Sequence, residues 1–171
     1  MIVLGIDPGL TRCGYAVIDG KGSHTLVTMA LGVIRTAPTT PLPQRLAELK
    51  IELAALIAQF RPDAVAVEQV FFQVNVRTAM SVGQASGLAL AEAAAAGCDV
   101  VQYTPNQVKN AVAGYGGAGK LQVQKMVQAR LGLATVPEPP DAADAAALAL
   151  CHLAMAPMAA QVARGRAAAV R

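Results

Sequence analysis

Charge is scarce in this chain: 15% of its residues are charged, and only eleven of 171 are acidic. With so few carboxylates, the position of each becomes informative. Tryptophan is absent and there are only three phenylalanines, so aromatic recognition has few side chains to draw on. The three cysteines, Cys13, Cys98 and Cys151, are odd in number, far apart and without a CxxC pair. That spacing argues against a disulfide framework and predicts reduced core thiols in a cytoplasmic protein. No apolar run reaches the roughly 18 residues of a membrane span, because the longest are cut by Glu92, by Asp144 and His152, or by Pro157. The N-terminus has no basic n-region and its apolar run is too short for a secretory leader.

The length suits one compact domain, expected over residues 1–160, and is too short for two ordinary ones. Much of the 54% hydrophobic content is alanine, which favours helix and packs closely. Charge is unevenly spread. Residues 1–99 hold seven Lys/Arg against eight Asp/Glu, whereas residues 100–171 hold seven against three. Lys109, Lys120, Lys125 and Arg130 fall in a stretch with no acid at all. This pattern fits either a solvated helix face or a surface for a polyanion.

Strand-like segments at about 2–7, 13–18 and 25–35, separated by polar or glycine-containing turns, predict an antiparallel meander. After a Pro/Thr-rich connector (36–43), Leu46, Leu49, Leu53, Leu56, Ile57 and Phe60 recur at helical spacing over 44–60. A strand at 64–68 follows, and the strand–helix–strand order predicts a parallel pair. A small-residue helix is expected at 75–97, a strand at 99–103, and helices at 105–113, 120–131 and 141–156. Residues 161–171, with Arg164, Arg166 and Arg171, read as a disordered basic tail.

Four carboxylates stand at the ends or starts of these elements. Asp7 closes Ile2-Val3-Leu4-Gly5-Ile6 and Glu68 closes Ala64-Val65-Ala66-Val67, which places both at the C-terminal ends of parallel strands, where open α/β sheets keep their sites. Asp141 and Asp144 are three apart at a helix start and share a face. The helix dipole favours carboxylates there. Simple capping accounts for Asp141 but leaves Asp144 unexplained. A lone carboxylate at Glu68, directly after an apolar strand, is costly unless a cation accompanies it. Hard oxygen ligands suit Mg²⁺ or Mn²⁺. Two such ions, roughly 4 Å apart, can activate a water and stabilise the leaving oxygen of a phosphodiester.

Gly5-Ile6-Asp7-Pro8-Gly9-Leu10-Thr11-Arg12-Cys13-Gly14-Tyr15 resembles the opening of the RuvC family of Holliday-junction resolvases. Ala66-Val67-Glu68-Gln69-Val70-Phe71 resembles its second acidic motif, and Asp141-Ala142-Ala143-Asp144-Ala145 its third. Gln107-Val108-Lys109, Gly119-Lys120-Leu121-Gln122-Val123-Gln124 and the tail Ala163-Arg164-Gly165-Arg166 also match, in order, over nearly the whole chain. The resemblance implies an α/β, ribonuclease-H-like fold with a five-stranded mixed sheet flanked by helices. It also implies a homodimer that cuts four-way DNA junctions symmetrically in recombination and repair, partnered by the branch-migration proteins RuvA and RuvB. Asp7, Glu68, Asp141 and Asp144 would be metal-binding catalytic carboxylates, holding two Mg²⁺ ions per site, with Mn²⁺ a substitute. Lys120 would serve DNA contact and catalysis, and Lys109 and Lys125 would bind DNA.

Phe71 and Phe72 are either core or interface aromatics, or Phe71 stacks on an unpaired base at the junction centre. Asn75 and Arg77, at the next helix start, are further candidates for phosphate contact. Gly83 and Gly87 would let a second helix approach closely, so the helix at 75–97 is either a dimer surface or packed on its own sheet. Gly114-Tyr115-Gly116-Gly117-Ala118-Gly119-Lys120 fits GxxxxGK, but Leu121 stands where a P-loop needs Ser/Thr, and the element before it reads as helix. His24 and His152 read as isolated surface or core histidines. Two rival functions are an actin-like or sugar-kinase ATPase, which needs two such domains, and a junction-binding scaffold, for which negative charge facing phosphate has no use.

Overall fold

The computed structural model describes residues 1–21, 25–69 and 76–169, with side chains for all of these except 76–78 and 157–169. Strands β1 (Ile2–Asp7), β2 (Arg12–Lys21) and β3 (Thr25–Arg35) are antiparallel neighbours. On the other side of β1, β4 (Ala64–Glu68) and β5 (Asp99–Tyr103) join in parallel, giving the order β3-β2-β1-β4-β5. The helices are α1 (Leu42–Phe60), α2 (Val76–Ala95), α3 (Pro105–Ala113), α4 (Lys120–Leu131) and α5 (Pro140–Ala169).

Side chains alternate between the two faces of a strand, and that alternation divides the core. Leu4, Ile6, Cys13, Val17, Val65 and Val67 face α1 and α2. Val3, Ala16, Ile18 and Ala66 face α3, α4 and α5. Leu49, Leu53 and Ile57 bury one stripe of α1 against the first group, with Leu46, Leu56 and Phe60 beside them. Ala85, Ala89 and Ala93 do the same for α2. The lower ends of three strands are tied through Asp63: its Oδ2 accepts from Ile2 N–H at 2.7 Å and its carbonyl from Asp99 N–H at 3.0 Å.

Several boundaries differ from the sequence reading, by one or two residues in most cases, and three have a plain physical meaning. Helix α1 starts at Leu42 rather than 44 because Pro43 falls in its first turn, where a missing N–H costs nothing. Strand β2 runs to Lys21, since Asp19, Gly20 and Lys21 still pair with β3. Helix α5 continues to Ala169, so the segment expected as a disordered tail carries helical backbone.

Candidate active site

The α5 face of the sheet carries unusually little side-chain volume beside its two acids. Gly5 and Asp7 share that face of β1, and Gly14, the register partner of Asp7, lies on it in β2. A Cβ at Gly5 would run into the carbonyl of Ala145, and one at Gly14 into the carbonyl of Asp141. Ala142, Ala145, Ala146 and Ala149 answer from the helix, all fully buried. Small residues on both sides let backbone meet backbone, which seats the first turn of α5, with Asp141 and Asp144, against the end of β1.

Glu68 reaches the same place along β4, whose register aligns Val67 with Ile6. Its partner across β5 is Tyr103, and α3 starts two residues later. Thr104 caps that helix: its hydroxyl accepts from Gln107 N–H at 3.2 Å, and the Gln107 side chain returns to the Thr104 N–H at 2.9 Å. Lys109 projects from α3 and Lys120 from the first position of α4. Asp7, Glu68, Asp144, Lys109 and Lys120 line one cavity of about 290 Å³, floored by Val108, Val123 and Leu148.

Lys120 Nζ donates to Asp144 Oδ2 at 2.6 Å, and this contact raises the lysine pKa. Burial, then the charges of Glu68, Asp144 and Asp141, push Asp7 up to about 7, against a partial opposing pull from Lys120. Burial and Asp144 also raise Glu68. Asp141 lies outside the cavity lining, on the β2 side of Asp7. Its Oδ2 is buried, accepts no hydrogen bond and sits 3.5 Å from Arg12 Nε.

These conditions fit a divalent cation. Four carboxylates crowd one strand end, Asp7 is driven towards its protonated form, and one buried carboxylate oxygen has no donor. All candidate ligands are hard oxygens, suited to a magnesium-like ion. Among the described residues no three ligating side chains close around a common point; Lys120 and Arg12 take two of the carboxylates instead.

The turn from β1 to β2 is braced by residues the sequence reading passed over. Thr36 Oγ1 donates to Leu10 O at 2.5 Å, while Arg45 donates from Nε to Thr36 Oγ1 at 2.9 Å and from Nη2 to Thr11 Oγ1 at 2.7 Å. Arg12 and Arg45 were missed because their partners lie far off in sequence. The Arg at the start of β2, two before a glycine on the site face, was the available signal.

Lys125 is exposed on α4 and does not line the cavity. Arg130 donates to Ala111 O at 3.0 Å, so it ties α4 to α3. Phe71, Phe72, Asn75 and His24 lie outside the described residues, as does the side chain of Arg77. His152 is a core histidine, 4% exposed, hydrogen-bonded through Nδ1 to Tyr103 Oη at 2.9 Å, and burial lowers its pKa. The GxxxxGK stretch follows helix α3 rather than a strand, with Gly114 as a left-handed C-cap, so it is no P-loop. The described cysteines are all free, with Cys13 and Cys151 buried.

Residues 3–152 match the family model described as crossover junction endodeoxyribonuclease RuvC. The crossover junction endodeoxyribonuclease RuvC of Salinispora arenicola is 53% identical over 153 residues, covering 90% of this chain and 87% of the relative. The structure of Thermus thermophilus RuvC in complex with a Holliday junction substrate superimposes with a TM-score of 0.88 at 41% identity, over 93% of this chain and 96% of that one. The yeast mitochondrial Holliday junction resolvase Ydc2, at 16% identity and a TM-score of 0.64 over 87% and 77% of the two chains, shares the fold. That fold is the ribonuclease-H-like one, and its mixed five-stranded sheet is the one described above. With most of its length matched by the family model and half of its residues shared with such relatives, the chain belongs to the RuvC family of crossover junction endodeoxyribonucleases.

Proposed function

We propose that this protein resolves four-way DNA junctions by paired, symmetric nicks, with Mg²⁺ as its natural ion, Mn²⁺ as a substitute, and two ions in each site. The observation that carries this reading is the convergence of Asp7, Glu68 and Asp144 beside Lys109 and Lys120, with Asp141 on the far side of Asp7. Negative charge facing phosphate hinders a pure DNA binder; together with bound cations it suits hydrolysis. Bound at these carboxylates, the ions supply Lewis acidity to the attacking water and the leaving oxygen.

The chain's own residues do the rest. Lys109 and Lys120 neutralise backbone phosphate at the cavity mouth. Water attacks phosphorus, the bond to the 3′ oxygen breaks, and that oxygen takes up a proton, leaving a 5′-phosphate and a 3′-hydroxyl. Phe71 stacks on an unpaired base at the crossover, with Phe72 beside it, and Asn75, Arg77 and Lys125 touch flanking phosphates. The protein acts as a homodimer through the outward face of α2, where a Cβ added at Gly83 or Gly87 would meet nothing within 4 Å and Met80 is 59% exposed. A two-fold axis there would hold two sites at a fixed separation. One nuclease domain over residues 1–160 works in the cytoplasm with RuvA and RuvB.

Purified protein, a synthetic four-way junction and Mg²⁺ test the reading. Paired nicks at symmetric positions are expected, and Asp7→Asn or Glu68→Gln, folded by circular dichroism, should abolish them. Absence of paired nicking, or nicking unchanged in those variants, would refute it.

A further inference from the structure

Arg12 is the first residue of β2 and, by strand alternation, stands on the same face as Gly14 and Ala16. It is therefore aimed at the first turn of α5. The positive end of a helix dipole is an unfavourable place for a cation, so helix capping does not account for it. What it meets is Asp141, through Nε at 3.5 Å. That contact is loose: the Asp141 oxygen accepts no hydrogen bond, and the arginine side chain is 54% exposed. Among the described residues the guanidinium makes no hydrogen bond of its own. Half-exposed ion pairs of this kind contribute little to stability, so the contact is readily exchanged.

The arrangement mirrors the one across the site. Lys120 approaches Asp144 from α4 within the cavity; Arg12 approaches Asp141 from β2 outside it. Lys120 has a full charge-assisted hydrogen bond at 2.6 Å, whereas Arg12 has none. The weaker partner is the one beside the undonated carboxylate oxygen.

We propose that Arg12 is a positioning residue, an exchangeable counter-ion that holds Asp141 until a divalent cation takes Oδ2 and then passes to a DNA phosphate. The inference rests on the function proposed above. Arg12 thereby weakens cation binding on the β2 side of Asp7 in the absence of DNA, and couples cation loading to the arrival of a strand, whose phosphate accepts the released guanidinium.

Direct Mn²⁺ binding to the full chain without DNA, read by electron paramagnetic resonance, tests it. Arg12→Gln should bind Mn²⁺ about five-fold more tightly, while Arg12→Lys, which keeps the charge, should stay near wild type. Adding Asp141→Asn to Arg12→Gln should erase the gain. With Ca²⁺ present, a hard cation for the same carboxylates, Arg12→Gln should flatten the salt dependence of junction binding by about one phosphate contact, whereas in chelator, where Arg12 stays on Asp141, the slope should not change. If the wild-type protein neither binds Mn²⁺ nor cuts junctions, the functional reading fails and this inference with it. If it does both, and Arg12→Gln binds Mn²⁺ no more tightly, or the gain persists without Asp141, the role of Arg12 alone is overturned.

Discussion

Lys120 Nζ and Asp144 Oδ2, 24 residues apart, meet at 2.6 Å in the cavity that also holds Asp7 and Glu68. The pair is partly solvent-exposed, with side-chain exposures of 63% and 30%. Such a pair adds little to folding; its lysine acts on the charge felt by the neighbouring acids, since Lys120 opposes the rise that burial and Asp144 impose on the pKa of both Asp7 and Glu68.

Lys120→Met separates these roles. Its effect on stability should be within about 1 kcal/mol in denaturant titration. Single-turnover cleavage of a bound junction should fall at least about a hundred-fold, as when a preorganised charge is removed from a reacting centre. A loss of stability large enough to explain the lost cleavage would show the lysine to be structural instead.

Gly14→Ala probes the seating of α5. The new methyl group would collide with the Asp141 carbonyl, so the helix start must lift or the strand must bend. Overpacking of this kind costs about 1–3 kcal/mol. Cleavage should fall together with the melting temperature, since Asp141 and Asp144 move with the helix. Wild-type stability and cleavage in this variant would contradict the close seating.

The pKa of Asp7 predicts a pH dependence. At about 7 it lies above the ordinary 3.8, so the folded chain keeps a proton that the unfolded chain has lost between those values. Without divalent cations, Asp7 therefore costs no stability below pH 3.8, an increasing amount through the window, and its full penalty above pH 7. That penalty is on the order of 4 kcal/mol at most. His152, whose pKa is lowered, has the opposite sense in the acid range, so the contribution of Asp7 is read from a difference. In chelator, the stability of Asp7→Asn relative to wild type should rise between about pH 4.5 and 7.5, and divalent cations should narrow the gap at the higher pH. A flat difference would mean that Asp7 is solvated like a surface aspartate.

Much of this was legible in the sequence because the signals were local. An apolar run closed by an acid fixed the ends of β1 and β4, and the strand–helix–strand order made those ends neighbours. The glycine-rich run from Gly114 to Gly119 separated the helices expected at 105–113 and 120–131, and α3 and α4 keep those bounds. What could not be read depends on partners brought close only by the fold. The bond from Arg45 to Thr11 spans 34 positions and that from Tyr103 to His152 spans 49, and no periodicity announces either. Helix α5 runs beyond the end expected at 156, since alanine favours helix strongly enough to carry the element past Pro157.

The alanines that dominate the composition have a second meaning once Gly5 and Gly14 are seen beneath them. They set the clearance between a helix and a sheet in contact through their backbones, and that clearance fixes the distance of two aspartates from a third. A methyl group added anywhere along the Gly5, Gly14, Ala145 and Ala149 seam acts as a spacer under the site. Residues that never touch a substrate therefore tune it, and drift in this helix should be confined to side chains no larger than the ones already there.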